Sequence, residues 1–155
     1  MMNFATFFSP KKQEASPVEG LVVSRSILLI DDDPTMGIWV EQIINGISGI
    51  ENPEGQRIIF DFEQISVVDS ELNGIVEKDL IFIDYHLNDG LGRTGQDLRK
   101  LILAKFPNQR TAIISSQEEG QLVLDMIKEG VRNYVVKGED MENQLRETIQ
   151  ELLID

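Results

Sequence analysis

The chain has 155 residues, 41% of them hydrophobic and 26% charged, the composition of an ordinary globular protein able to build one core. Its net charge of −13 repels phosphate backbones and anionic lipid, so direct contact with nucleic acid or a membrane surface is disfavoured and proteins or cations are the expected partners. There is no cysteine, which excludes disulfides and thiolate metal sites, and no apolar run reaches the roughly 20 residues that span a bilayer, so a cytoplasmic location is expected.

Residues 1–24 contain Ser9-Pro10-Lys11-Lys12 and Ser16-Pro17, show neither helical nor strand periodicity and carry no net charge. They read as a flexible N-terminal leader, in which Leu21-Val22-Val23 could dock onto the rest. Residues 25–155 read as one domain in which short apolar runs alternate with helical patterns, the signature of βαβ units around a parallel sheet. The first run, Ile27–Ile30, leads to a helix capped by Asp33 and opened by Pro34, with a stripe of Met36, Trp39, Val40, Ile43, Ile44 and Ile47 that ends at Gly46 or Gly49. The second, Arg57–Phe62, is followed by a helix expected near Val67–Ile75, although Asn73-Gly74 interrupts it. After Leu80–Ile83 a third helix carries Leu98, Leu101 and Ile102; after Thr111–Ser115 a fourth carries Leu122, Met126 and Ile127 and stops at Gly130. Tyr134–Val136 precedes a fifth helix with Met141, Leu145, Ile149 and Leu152. The runs are mostly β-branched or aromatic and mostly non-alternating, which suits strands buried on both faces, and each helical stripe reads as a face packed on the sheet.

In such sheets ligands bind beyond the carboxyl ends of the strands. The residues found there are Asp31-Asp32-Asp33 after the first strand, Asp84 after the third, Ser115-Ser116 at the fourth and Lys137 after the fifth. Three carboxylates crowded together must take protons or hold a cation, and a hard divalent ion such as Mg2+, with oxygen ligands and retained waters, answers that need. Lys137 and Ser115 then supply the ammonium and hydroxyl that a phosphoryl group requires.

Ile27-Leu28-Leu29-Ile30-Asp31-Asp32-Asp33-Pro34, Asp79-Leu80-Ile81-Phe82-Ile83-Asp84, Ser115 and Gly130-Val131-Arg132-Asn133-Tyr134-Val135-Val136-Lys137 make residues 26–153 resemble the receiver domain of two-component response regulators. The resemblance implies a flavodoxin-like (βα)5 doubly wound sandwich, with a five-stranded parallel sheet of order 2-1-3-4-5. It implies that Asp84 accepts a phosphoryl group from a sensor histidine kinase or a histidine phosphotransfer protein. Asp32, Asp84 and the backbone carbonyl of His86 would hold Mg2+, with Asp31 acting through metal-bound water. Ser115 and Lys137 would bind the phosphoryl oxygens, Ser115 and Tyr134 would form the conformational switch, and His86 and Gln117 would tune hydrolysis. The expected output is a downstream effector protein; a homodimer through the fourth and fifth helices is compatible, and no catalysis beyond self-phosphorylation and self-dephosphorylation is implied. His86 is the single histidine and lies two residues past Asp84, so the phosphoryl donor is expected to be another molecule.

The chain departs from the family pattern at Asn88 and Gly138, where proline is usual, and at Ser116, where alanine is common. The loop Asn88–Gly95 is long, and the stretch between Ile47 and Arg57 is an insertion. Gly138 also puts in question the cis peptide common in the family after the lysine, since a cis bond without proline costs about 3 kcal/mol. Two other functions compete. Asp31-Asp32-Asp33-Pro34-Thr35 fits the DxDxT signature of haloacid dehalogenase-like phosphatases, with Asp31 as nucleophile, although no later acidic motif follows a strand. The other is a receiver-like scaffold that is never phosphorylated.

Overall fold

The computed structural model of the protein describes residues 20–66, 68–116 and 120–155. Residues 1–19 of the leader, Val67 at the start of the expected second helix, and Gln117 lie outside them. The described chain runs β1 (Val22–Ile30), α1 (Pro34–Ile47), β2 (Ile50–Glu51), β3 (Arg57–Ile65), β4 (Leu80–Asp84), α2 (Gly95–Lys105), β5 (Thr111–Ser116), α3 (Gly120–Lys128), β6 (Tyr134–Lys137) and α4 (Met141–Ile149), which continues into a π-helical turn at Gln150–Ile154.

Five of these strands are parallel, in the order β3-β1-β4-β5-β6, which is the expected 2-1-3-4-5 arrangement. The sheet nevertheless has six strands. The insertion after α1 folds into a hairpin whose short β2 pairs antiparallel with Arg57 and Ile58. Asn52 closes its turn, its side-chain oxygen accepting from the N–H groups of Glu54 and Gln56 at 3.0 and 2.9 Å. β1 also starts earlier than the apolar run suggests: it begins at Val22, inside the stretch read as leader, and pairs with β3 from Arg57 onward.

Successive strand residues point to opposite faces, so the inner strands β1, β4 and β5 feed two cores. Ile27, Leu29 and Phe82 meet α1 and α4, whereas Leu28, Ile30 and Ile83 meet α2 and α3. β4 is buried along its whole length. Asp33 caps α1 by accepting from the Thr35 N–H at 2.9 Å, with Pro34 at the first turn where its missing N–H costs nothing. Thr94 and Asp97 form a reciprocal capping box at the start of α2.

Two expectations about helices are corrected. Among residues 68–79 there is no helix: Val68, Leu72 and Ile75 are buried as the apolar spacing suggests, but they hang from successive turns. Asp69 organises those turns, accepting from the N–H groups of Glu71 and Asn73, and Leu72 takes a left-handed φ of 58°. Asn and Asp side chains that bond nearby N–H groups compete with the helical ladder, which is why the interrupted pattern loses here. Trp39, Leu101 and Ile127, assigned to packed stripes, are instead 52%, 42% and 56% exposed, because each sits at the margin of a stripe whose centre makes the contact. No described peptide bond is cis, including the one after Lys137.

Candidate phosphoryl-accepting site

β1 crosses through α1 to β3 on one side, while β4 lies on its other side, so the carboxyl ends of β1 and β4 flank the point where the winding reverses. There the chain brings together Asp31, Asp32 and Asp84, each offering a carboxylate oxygen within 4.8 Å of the others. Asp31 is fully buried, Asp84 is 4% exposed and Asp32 faces solvent. The Lys137 ammonium reaches in from the end of β6, 3.3 Å from Asp84 Oδ1 and 3.8 Å from Asp31 Oδ2.

Burial, with the charges of Asp84 and Asp32 adding to it, pushes the Asp31 carboxyl up to about 6, against the hydrogen bond from the Asp33 N–H and the attraction of Lys137. Burial likewise raises Asp84, against Lys137 and the N–H of His86, which donates to Asp84 Oδ1 at 3.4 Å. One ammonium is thus shared by two buried carboxylates, and Asp31 Oδ2 has no hydrogen-bond donor. A third oxygen-rich group beside such an atom fits a hard divalent cation.

Ser115 is fully buried on β5, and Tyr134 on neighbouring β6 is half-buried with its hydroxyl inside. His86 is exposed two residues beyond Asp84, its ring edge-on to Tyr85 at 5.2 Å. Gln117 lies outside the described residues. Asn88, at a position where the family usually has proline, donates from its amide to Asp32 Oδ2 at 3.1 Å.

Sequence reasoning missed the residues that hold these groups in place. Gln64 donates from one amide nitrogen to the carbonyls of Asp31 and Asp33, both at 2.9 Å. Gly95 lies so close under the end of β4 that a Cβ would sit 2.3 Å from the Asp84 carbonyl oxygen, and its N–H donates to Tyr85 O at 2.7 Å. Arg93 pairs with Asp89 at 2.6 Å and also donates to the carbonyl of Val68, tying the β4–α2 loop to the turns after β3. One signal was readable: strand alternation puts Gln64 in phase with Ile58, Phe60 and Phe62, a polar side chain on an apolar face.

The chain is thus a doubly wound α/β domain with a cluster of carboxylates at its switch point. Comparison with solved structures agrees on the fold. The chain superposes on NtrX from Brucella abortus with a TM-score of 0.64 at 21% identity, over 84% of this chain and 27% of that one, so it spans about a quarter of NtrX. It superposes on the BeF3-activated receiver domain of DrrB, a Thermotoga maritima protein, with 0.64 at 16% identity, over 84% and 98% of the two chains. For the phosphorylated cyanobacterial phytochrome response regulator RcpA the values are 0.60 and 11%, over 84% and 95%. No family model matches the chain, and no curated protein sequence does. At these identities what is shared is the receiver fold. Among the described residues no helix is long and apolar enough to cross a membrane.

Proposed function

We propose that the protein is a response regulator in a phosphorelay, accepting a phosphoryl group on Asp84 and passing the change of state to another protein. The observation that carries this reading is the shared ammonium: Lys137 lies against both Asp84 and Asp31 at the edge where Asp31, Asp32 and Asp84 converge. In the reaction an Asp84 carboxylate oxygen attacks the phosphorus of a phosphohistidine, the P–N bond breaks and the imidazole leaves with its electron pair. Lys137 then exchanges its carboxylate partner for a phosphoryl oxygen, so the charge it balances moves outward from the buried pair. Mg2+ held by Asp32, Asp84 and the His86 carbonyl, with Asp31 acting through metal-bound water, would supply positive charge to the transferring oxygens. Ser115 is the hydroxyl to follow the phosphoryl group, and Tyr134, one strand away, is the aromatic whose rotamer would report it.

Partner surfaces fit the reading. A cleft of about 550 Å³ opens beside Lys137 between α1 and the β6–α4 turn, lined by Met36, Trp39, Gly138 and Met141, where a kinase or phosphotransfer protein could approach. Leu124 and Ile127, exposed on α3, are apolar material for an effector or for a homodimer through α3 and α4.

Incubation with labelled acetyl phosphate and Mg2+ tests the proposal. A stoichiometric, acid-stable label that Asp84→Ala abolishes supports it. Multiple-turnover hydrolysis that Asp31→Ala alone abolishes identifies a phosphatase instead, and absence of both label and beryllofluoride binding identifies a scaffold.

A further inference from the structure

The acidic loop leaves β1 at Asp31 and enters α1 at Pro34, and it is held from outside. The two N–H bonds of the Gln64 side-chain amide go to two carbonyls, those of Asp31 and Asp33, so the Asp31–Asp32 and Asp33–Pro34 peptide groups, which bracket the acidic loop, hang from one side chain. The Asp31 N–H donates to Ile65 O at 3.1 Å, which continues the same seam. The Asp33 carbonyl receives only a long 3.4 Å bond from the Gly37 N–H within the helix, so Gln64 is its better donor.

Gly37 sits inside α1, where glycine is destabilising relative to alanine. A Cβ there would lie 1.8 Å from Gln64 Oε1 and 2.6 Å from its Cδ. The obstacle is the end of a side chain rather than backbone, so an alanine at 37 would displace the amide and leave the helix intact. The glycine is therefore explained by Gln64, and Gln64 by the two carbonyls it holds.

We propose that Gln64 is a positioning residue for cation binding: by holding the carbonyls of Asp31 and Asp33, the residues before and after Asp32, it presets Asp31 and Asp32 for a divalent ion, and Gly37 admits its amide. The proposal rests on the reading of Asp31, Asp32 and Asp84 as a cation site. A residue that orients ligands in this way typically changes metal affinity by about 10-fold or more when removed. A residue that only closed the seam between β3 and α1 would change stability and leave affinity alone.

The test is titration of the full chain with Mg2+ alone by calorimetry, beside the thermal midpoint in EDTA, for wild type, Gln64→Ala, Gly37→Ala and the double variant. Gln64→Ala should bind Mg2+ about 10-fold more weakly. Gly37→Ala should do the same although it retains Gln64. In the double variant the methyl group fills the vacated space and favours the helix, so the midpoint should return to wild type or above while Mg2+ binding stays weak. With acetyl phosphate, the apparent Mg2+ constant should rise in both Gln64 variants and the rate at saturating Mg2+ should match wild type. The proposal is overturned if Gln64→Ala keeps Mg2+ affinity within about twofold of wild type, or if affinity recovers with the midpoint in the double variant. Wild type showing no Mg2+ binding that Asp32→Ala removes would overturn the cation reading itself, and the role of Gln64 with it.

Discussion

Replacing Asp31 by asparagine should stabilise the metal-free protein at neutral pH, and the gain should disappear in acid. An aspartate taken from its ordinary 3.8 to about 6 weakens the ionised native state by about 3 kcal/mol relative to the unfolded chain. Between those two values the unfolded chain has released the proton while the native state keeps it, so native stability falls as pH rises through the window and is level above about 6. Asparagine removes that titration. It keeps the geometry too, since its amide oxygen can still accept from the Asp33 N–H, now at 2.9 Å from Asp31 Oδ1. The 3 kcal/mol is already net of the attraction of Lys137, which opposes the shift, so the gain at pH 7.5 is reduced only by the poorer fit of an amide beside the ammonium and should be about 1–3 kcal/mol.

Urea denaturation in EDTA at intervals from pH 4 to pH 8, comparing wild type with Asp31→Asn, measures this difference directly. The two curves should converge near pH 4 and separate as pH rises to about 6. A gain of equal size at pH 4.5 and 7.5 would refute the reasoning, because it would show that something other than the buried charge is responsible, and so would a variant less stable than wild type at pH 7.5. Mg2+ should narrow the separation at pH 7.5, since a ligand that binds only the native wild-type site stabilises it by mass action.

Gly95→Ala would drive a Cβ to 2.3 Å from the Asp84 carbonyl oxygen and 2.8 Å from Tyr85 Cα, backbone that cannot turn aside, so a loss of about 2 kcal/mol is expected and an unchanged thermal midpoint would contradict it. Lys137→Met should slow labelling by acetyl phosphate about 100-fold without weakening Mg2+ binding, because it removes the ammonium proposed to bind a phosphoryl oxygen and also a cation competing for the same carboxylates; weaker Mg2+ binding in a titration would count against the shared-ammonium picture. Burial pushes Asp89 upward, yet its hydrogen bond from Arg93 holds the carboxyl below its ordinary value. Arg93→Ala should therefore cost about 1–3 kcal/mol, and hydrogen exchange should quicken in the turns after β3 as well as in the β4–α2 loop; quickening in one segment alone would show that Arg93 does not join them.

The strand ends were legible because the carboxyl edge of a parallel sheet is fixed by the alternation of runs alone, which is how Asp31, Asp84, Ser115 and Lys137 could be placed at one edge before any geometry was known. The cap at Asp33 and Pro34 was legible for a similar reason, being a local signal. The roles of Gln64, Gly37 and Gly95 were not: alternation marks Gln64 as a polar side chain on an apolar face but does not name its partners, since residue 64 meets residues 31 and 33 only because β3 pairs with β1 as it does. The missing second helix had a signal that was misread. β3 sets Ile58, Phe60 and Phe62 against Asp61 and Glu63, the period of a strand with one face in water, whereas a strand roofed by helices on both sides needs no such alternation.

That open face and the site are connected through the crossover from β3 to β4. A helix satisfies its backbone groups internally, so turns that replace one must find donors elsewhere. Here Asp69 serves two N–H groups, while Arg93 donates to the carbonyls of Val68 and Asp69 and Lys105 to that of Leu72. Arg93 comes from the loop that follows Asp84, and Lys105 from α2, whose first residue, Gly95, packs on the Asp84 carbonyl. The crossover is therefore built from donors on the segment that follows Asp84, so any movement of the β4–α2 loop must also work against the buried Val68 and Leu72. A helix in that place would have insulated the two.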